Sequence, residues 1–379
     1  MRIVADDKIP FLKGALEDVA ELVYLPGASI GRADLLEADA LITRTRTKCN
    51  RALLEGTKIR FIASATIGHD HIDKAYCKQA GIIWTNAPAC NSSSVEQYIV
   101  STLLFLAVNQ GLELGQSCLG LVGVGNVGKR VARVAQLLGM KLLLNDPPRA
   151  RTEGGEGFVD LDRICAEADV ISFHVPLNME GPDRSFHLAD RAFFERCKPG
   201  CVLINSSRGP VVDGRALLSA IQSGQVGSAV LDVFEHEPQI EAGLLEALCL
   251  ATPHIAGYSL DGKAKGTSMS VQAVSRFFGL GLDKWVPENV PEPPAALLLG
   301  DAGREEGVRL LWSLYRRCYD VSADDQRLRE NPGSFEHLRG AYPFRREAPA
   351  YRVKLFGDDG SQAELLRALG FKVLSDYCM

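Results

Sequence analysis

A chain of 379 residues is too long for one ordinary hydrophobic core and implies two or three domains. Hydrophobic residues at 46% and charged residues at 23% describe a globular protein rather than a disordered or fibrous one. A formal net charge of -5 gives no bulk electrostatic reason for a nucleic-acid or anionic-membrane partner, although local arginines could still hold a small anion.

The chain opens MRIVADDKIP, without the apolar segment of a signal peptide. From Met1 to about Asn91, short apolar runs alternate with helical or turn stretches: RIVA, ELVYLP, ALIT, IRFIA and GIIWT. That rhythm predicts a small α/β domain of mostly parallel strands. A long helix is expected from about Ser92 to Gly111, with Ser and Asn residues available to cap its start. Its apolar stretch, Tyr98 to Val108, is too short to span a bilayer and contains Ser101 and Thr102, so burial is expected.

Gly115 to Pro253 repeats the pattern more strongly. CLGLVGVG, KLLLND, DVISFHVP, CVLINSS, SAVLDVF and LCLATPH read as strands or strand ends, with VGKRVARVAQLLG and GRALLSAIQSG as helices between them. An open parallel sheet covered by helices on both faces follows. A helical run from about Asp261 to Gly281 could return the chain to the first domain. The proline-rich VPENVPEPP, from Val286, reads as a linker. Beyond it, helix and strand signals mix and acidic and basic residues balance, so this is no basic nucleic-acid tail. Its apolar runs must be buried, which favours a dimerisation or lid domain over disorder.

Gly123, Gly125 and Gly128 in LGLVGVGNVGKRVARVAQLLG form a GxGxxG turn between an apolar strand and an apolar-periodic helix. The first glycine permits the tight turn, the second lets a pyrophosphate approach the backbone, and the third permits close helix-sheet packing. Asn126 and Val127 lie at the helix start, whose unpaired N–H groups favour phosphate. KLLLND supplies the next strand, ending in Asp146 at the spacing expected for a ribose-binding carboxylate. That carboxylate disfavours the extra phosphate of NADP, so NAD is the expected cofactor; Arg149 and Arg151 nearby keep NADP open.

INSSRGPVVDGRALLSAIQSG, SAVLDVFEHEP and ATPHIAG follow the glycine motif in that order. Together these segments closely resemble the D-isomer-specific 2-hydroxyacid dehydrogenase family. The resemblance implies a catalytic Arg208, Glu237 and His254. The chemistry suits those residue types: oxidising an alcohol needs hydride loss from carbon and proton loss from oxygen. Histidine is a base near neutrality, a carboxylate can orient its ring, and the planar fork of arginine can clamp a substrate carboxylate. Taken singly, each could be a turn charge, a loop cap or a packed polar side chain. All three follow separate expected strands, whose carboxyl ends gather ligand groups in α/β sheets. By resemblance Asp232 contacts the nicotinamide side of the cofactor, and Val175, Ser206, Ser207, Arg208 and Gly257 line its site.

His69 and His71 in GHDHID invite a metal assignment, but a two-residue spacing is weak, and the family carries a similar pattern without a catalytic metal. No metal is expected. Ten cysteines form no CxxC pair; Cys197 and Cys201 are separated by a span containing Pro199 and Gly200. Structural thiols in a reducing, cytoplasmic compartment are expected. His174, His187, His236 and His337 carry no comparable argument.

Within the family, ALITRTRTKCN, FIASATIGHDHID, NAPACNSSSVEQYIVSTLL, the Gly257–Tyr258 continuation and the extra C-terminal region resemble members that oxidise 4-phospho-D-erythronate in pyridoxal 5'-phosphate biosynthesis. That resemblance implies a small anionic phosphorylated hydroxy acid as substrate, with contacts from Thr45, Thr66 and Tyr258 as well as Arg208, and a homodimer. Arg44 and Arg46, two apart, would share a face on an extended strand, although a loop could arrange them differently. They could bind the distal phosphate or form a solvated basic patch. Arg345 and Arg346 in YPFRR are a weaker candidate for an anion or interface pair. A dehydrogenase for 3-phosphoglycerate or another 2-hydroxy acid would use the same machinery. An NAD-sensing interaction protein on this scaffold is disfavoured by the intact Arg208, Glu237 and His254. The implied architecture is α/β: a Rossmann-type NAD domain (94–257, with its linking helix) inserted in a flavodoxin-like substrate domain (1–93 and 258–285). An α+β dimerisation domain (286–379) follows.

Overall fold

The computed structural model describes residues 1–358 and 360–374 and divides the chain into two compact units. Met1–Ser92 with Tyr258–Glu292 form the first, and Ser93–Gly257 with Pro293–Met379 the second. The returning segment of the first unit thus runs past residue 285, and the C-terminal region groups with Ser93–Gly257. Residues 359 and 375–379 of the expected C-terminal domain lie outside the described residues.

In the first unit, β1 (Arg2–Asp6), β2 (Glu21–Leu25), β3 (Ala40–Thr43), β4 (Phe61–Ser64) and β5 (Ile83–Thr85) form one parallel sheet in the order β2-β1-β3-β4-β5. This is the flavodoxin-like order. β3 and β4 are buried along their whole length, as strands covered on both faces must be. Period-two alternation sorts β1 between two cores: Ile3 and Ala5 pack with Leu12, Ile42, Val271 and Val274, while Val4 packs with Leu35, Leu41 and Ile62. Val271 and Val274 come from the helix Leu260–Phe278, which the Ser259 hydroxyl caps by accepting from the Gly262 N–H at 2.8 Å.

The second unit holds β6 (Cys118–Val122), β7 (Lys141–Asn145), β8 (Val170–Phe173), β9 (Cys201–Asn205), β10 (Val226–Leu231) and β11 (Leu250–Ala251). They form a six-stranded parallel sheet, β11-β10-β9-β8-β6-β7. The helix Asn126–Leu137 buries Val131, Val134 and Ala135, the face its periodicity predicts. Short helices at Pro147–Glu153, Leu161–Glu167 and Arg191–Arg196 add cover the sequence pattern did not predict. Each is under two turns, too short for visible periodicity, yet each starts at an aspartate cap: Asp146, Asp160 and Asp190.

The helix Ser92–Asn109 buries Tyr98, Ile99, Val100, Leu103, Leu104 and Leu106. Each such side chain contributes about 1.5–3 kcal/mol of burial. Among the described residues no helix is long and apolar enough to cross a membrane. In the C-terminal region β12 (Leu297–Asp301), β13 (Arg352–Phe356) and β14 (Lys372–Val373) pair in parallel, in that order.

Candidate active site

In the second sheet the strand order reverses at β6, whose neighbours are β7 and β8, and ligands of open α/β sheets bind outside the carboxyl ends at such a point. Gly123 leaves β6 there with φ +93°, and a Cβ on it would lie 2.6 Å from the His174 carbonyl oxygen and 2.9 Å from Val175 Cγ1. Only glycine fits, and Val175 walls the crevice. A Cβ on Gly125 would meet nothing within 4 Å, whereas one on Gly128 would lie 2.1 Å from the Gly123 carbonyl oxygen. The backbone in front of the helix is therefore open where a pyrophosphate would approach and closed where helix meets strand. Asn126 is exposed at that helix start and Val127 half-buried.

Asp146 follows β7 and accepts from the Val124 N–H at 2.8 Å and the Arg149 N–H at 3.1 Å, which fixes its carboxylate beside the glycine turn. Arg149 donates to both carboxylate oxygens of Glu153 and to the Val124 carbonyl, and Arg151 pairs with Asp183. The Ser206 hydroxyl is buried without a hydrogen-bond partner, an unmet polar group of the kind a bound ligand satisfies. The residues present fit a dinucleotide.

The loop after β9 is organised by Asn205, fully buried. Its Oδ1 accepts from the Ser207 N–H at 3.0 Å and hydroxyl at 2.7 Å, and its Nδ2 donates to the Arg208 carbonyl at 2.9 Å. Arg208 follows, half-buried, with Nη1 donating to the Ser207 carbonyl at 2.8 Å. A Cβ on Gly209 would lie 1.9 Å from the Phe234 carbonyl oxygen, so this loop rests directly on the one carrying Glu237. Glu237 accepts from the Phe234 N–H at 2.8 Å through Oε1 and meets His254 Nδ1 at 2.8 Å through Oε2. The Glu237–His254 pair expected from sequence is therefore formed, and Arg208 sits one residue from the contact between the two loops.

His254 has φ +55°, a left-handed conformation that a non-glycine residue keeps only when its surroundings over-determine it. Its N–H donates to the carbonyls of Asp232 and Thr252 at 2.7 and 2.9 Å. Asp232, 1% exposed, accepts from the Ile255 N–H, the Ala256 N–H and the Thr252 hydroxyl at 2.8, 2.9 and 2.6 Å. Burial pushes its carboxyl up, against these hydrogen bonds and the neighbouring His254, which favour the carboxylate. Asp232 thus holds the His254 loop, a task its sequence motif did not reveal. Gly257 closes this loop, half-buried.

The first unit carries the other expected contacts. Arg44 and Arg46 do not share a strand face: Arg44 follows β3, and Thr45 and Arg46 form a turn. Arg44 Nε and Nη2 donate to Asp6 at 3.0 and 3.2 Å, whereas Arg46 lines a cavity of about 440 Å³ with Arg32, Thr47, Lys48 and Asn50. Thr45 is exposed; the Thr66 hydroxyl donates to the Gly68 carbonyl at 3.0 Å; Tyr258 is half-buried, with Lys263 Nζ 5.0 Å from its ring centroid. His71 Nε2 lies 3.4 Å from the Ser64 hydroxyl and His69 packs on Trp84. No group of metal-ligating side chains occurs among the described residues.

Two features escaped the sequence reading. His187, 48 residues from Glu235, meets its Oε1 at 2.6 Å through Nε2, while its N–H donates to the Pro210 carbonyl at 2.8 Å. It straps the Arg208 loop to the Glu237 loop beside a cavity of about 390 Å³ lined by Asp213, Glu235 and Phe234. His174, behind Gly123, is held neutral by burial, its pKa pushed down to about 4. No local spacing signals either one.

Such a crevice, with an acid–imidazole pair on the later strand ends, defines a nicotinamide-dinucleotide-dependent dehydrogenase. Residues 104–256 match the D-isomer specific 2-hydroxyacid dehydrogenase, NAD binding domain, and residues 301–370 a domain of unknown function (DUF3410). The chain is 49% identical to the erythronate-4-phosphate dehydrogenase of Bacteroides fragilis, over 93% of this chain and 99% of that one. It is 43% identical to the protein of that name from Edwardsiella ictaluri, over 98% and 99%. Among solved structures, D-lactate dehydrogenase from Aquifex aeolicus, complexed with NAD and lactic acid, matches with a TM-score of 0.63 at 28% identity, over 75% of this chain and 97% of that one. The NADPH-dependent glyoxylate/hydroxypyruvate reductase of Sinorhizobium meliloti matches with a TM-score of 0.64 at 25% identity, over 74% and 95%. The chain belongs to the D-isomer specific 2-hydroxyacid dehydrogenase family and, within it, to the erythronate-4-phosphate dehydrogenases.

Proposed function

We propose that this protein oxidises 4-phospho-D-erythronate to 2-oxo-3-hydroxy-4-phosphobutanoate with NAD, a step of pyridoxal 5'-phosphate biosynthesis. The observation that carries the chemical assignment is the 2.8 Å contact between His254 Nδ1 and Glu237 Oε2. With Nδ1–H held by the carboxylate, Nε2 keeps its lone pair and serves as the base for the substrate hydroxyl proton. Glu237 stabilises the imidazolium that results, and Arg208 clamps the substrate carboxylate and polarises the reacting C–O bond. NAD, when bound along the glycine turn and the loops carrying Ser206 and Asp232, would supply the acceptor for the hydride leaving the carbon of that C–O bond. In the reverse direction protonated His254 returns the proton.

Asp146, Gly123, Gly125, Asn126, Val127 and Gly128 hold the adenosine and pyrophosphate end, with Val175, Ser206, Ser207, Asp232 and Gly257 lining the rest. Asp146 repels a 2'-phosphate, and the two nearby arginines are committed to Glu153 and Asp183, so NAD is preferred over NADP. Thr45, Thr66 and Tyr258 contact the hydroxyls of the substrate. Its distal phosphate falls to the cavity that Arg46 lines, which also has Arg32 and Lys48 on its wall.

We also assign a homodimer in the cytoplasm. Leu297, Leu299 and Phe356 stand exposed on a face of β12 and β13 that they share with Asp301, Arg352 and Lys354, a mixed apolar and charged surface suited to a second copy. The described cysteines form no disulfide, which is compatible with a reducing compartment. The test follows absorbance at 340 nm with NAD and 4-phospho-D-erythronate against 3-phosphoglycerate, with a 2-oxo acid acceptor in parallel to expose slow product release. Strong preference for phosphoerythronate is expected; equal or absent turnover would overturn the substrate assignment.

A further inference from the structure

The loop bearing His254 is gripped from two sides, and one grip comes from the C-terminal region. Asp232 takes the N–H groups of Ile255 and Ala256. Their carbonyls are taken by Arg345, whose Nη1 donates to both at 3.3 Å. The same guanidinium donates from Nε to Gln97 Oε1 at 2.9 Å and from Nη2 to the Ser94 carbonyl at 2.6 Å. Its plane lies 3.7 Å from the centroid of the Tyr319 ring. Arg345 is 3% exposed.

Neighbouring bonds fix the guanidinium in turn. The Ser94 hydroxyl donates to Glu347 Oε1 at 2.9 Å, Gln97 Nε2 to the Arg346 carbonyl at 3.1 Å, and the Ser101 hydroxyl to the Tyr319 carbonyl at 3.0 Å. A buried cation is costly, and this one is compensated by carbonyls, an amide oxygen, an aromatic face, the Tyr342 hydroxyl and the nearby buried Asp324 carboxylate. Three of its acceptors are backbone carbonyls, and two of those belong to the peptides that follow the catalytic histidine. That is poor economy for a stabilising strut, which could be apolar at less cost. It suits a device that fixes one loop conformation, including the left-handed φ of His254.

We propose that Arg345 is a positioning residue for His254: the C-terminal region, through this guanidinium, sets the loop that aims the imidazole at Glu237 and at the substrate hydroxyl. The proposal rests on the acid–base role given to His254 above. It makes the segment that matches the domain of unknown function part of the catalytic apparatus as well as a surface for assembly.

The test compares wild type with Arg345→Met, Arg345→Lys and Gln97→Met, each checked for folding by thermal melting. Arg345→Met should lower kcat on the order of 100-fold, the scale of a 1 Å misplacement, with KM for 4-phospho-D-erythronate changed far less. Arg345→Lys should recover only part, because an ammonium cannot reach four acceptors spread over a planar fork. Gln97→Met, which removes one acceptor and leaves the arginine, should give an intermediate loss and carries the test if Arg345→Met fails to fold. A second readout needs no turnover: the Nδ1–H proton resonance of His254 in the free protein, identified by its loss in His254→Asn. It should be visible in wild type and exchange-broadened in Arg345→Met. Folded variants with unchanged kcat and an unchanged resonance would overturn the proposal. A wild type that oxidises no hydroxy acid would sink the functional reading, while the resonance would still decide the positioning role.

Discussion

The two large sheets of this protein share a topology and differ in what stands at its switch point. β2-β1-β3-β4-β5 and β7-β6-β8-β9-β10, with β11 beyond, are the same parallel order. In each, the first strand is flanked by the second and third, and the crevice opens where that first strand ends. In the second unit that place holds Gly123, with the carbonyl of His174 close above it. In the first unit it holds Asp6, fully buried and bridged by Arg44 from the end of β3. Gly27 is pressed against the same carboxylate, where a Cβ would lie 2.3 Å from Oδ2. One crevice is thus shaped for a phosphate and the other is closed by an internal ion pair. Fold alone does not make a nucleotide site; the residues at the switch point do.

That contrast can be broken in either unit. The largest effect is expected from Gly123→Val, which needs a side chain at φ +93° and against a carbonyl oxygen. NAD affinity, read by fluorescence titration, should fall about 100-fold or more, some 2.7 kcal/mol. Retained affinity would mean the crevice is not the pyrophosphate site. Next comes Arg44→Met, which strands the buried Asp6 carboxylate. Removing one partner of a buried pair costs about 3–5 kcal/mol, and the partial exposure of Arg44 places this case near the low end. Chemical denaturation should show the loss while NAD binding stays intact. Unchanged stability would indicate that the pair is not closing anything.

A smaller effect separates the two units by pH. Burial depresses both His71 in the first and His174 in the second, the latter to about 4 from an ordinary 6.5. The unfolded chain therefore takes up a proton before the folded one. The stability contributed by neutral His174 is present above about pH 6.5 and is lost as pH falls through about 4, on the order of 3 kcal/mol. His174→Gln should flatten the fall in melting temperature over that window more than His71→Gln does. Equal slopes in wild type and His174→Gln would contradict the assignment.

Much of this was legible in the amino-acid sequence, for a physical reason. Strands such as ALIT and VISF are buried on both faces and read as unbroken apolar runs, and GxGxxG has a function only in a strand-to-helix turn. Arg208, Glu237 and His254 could be named because the segments that carry them resemble the family's, and each follows an expected strand. The contacts that hold them could not be read the same way. Arg345 reaches Gln97 across 248 positions and His187 reaches Glu235 across 48, and nothing local at either end announces the partner. Spacing alone does not decide whether Arg44 and Arg46 share a face; the strand stops at Thr43 and a turn follows, so they do not. Short capped helices fell below the length at which periodicity shows.

The central claim is that His254, held by Glu237, moves the proton while the glycine crevice independently binds the dinucleotide. Its most direct test takes His254→Gln, titrates NAD, then adds 4-phospho-D-erythronate to the same sample and follows NADH at 340 nm in a single turnover. Unchanged NAD affinity with a rate reduced about 1,000-fold is predicted, within the range for loss of a general base. Wild-type rates from this variant would contradict the account.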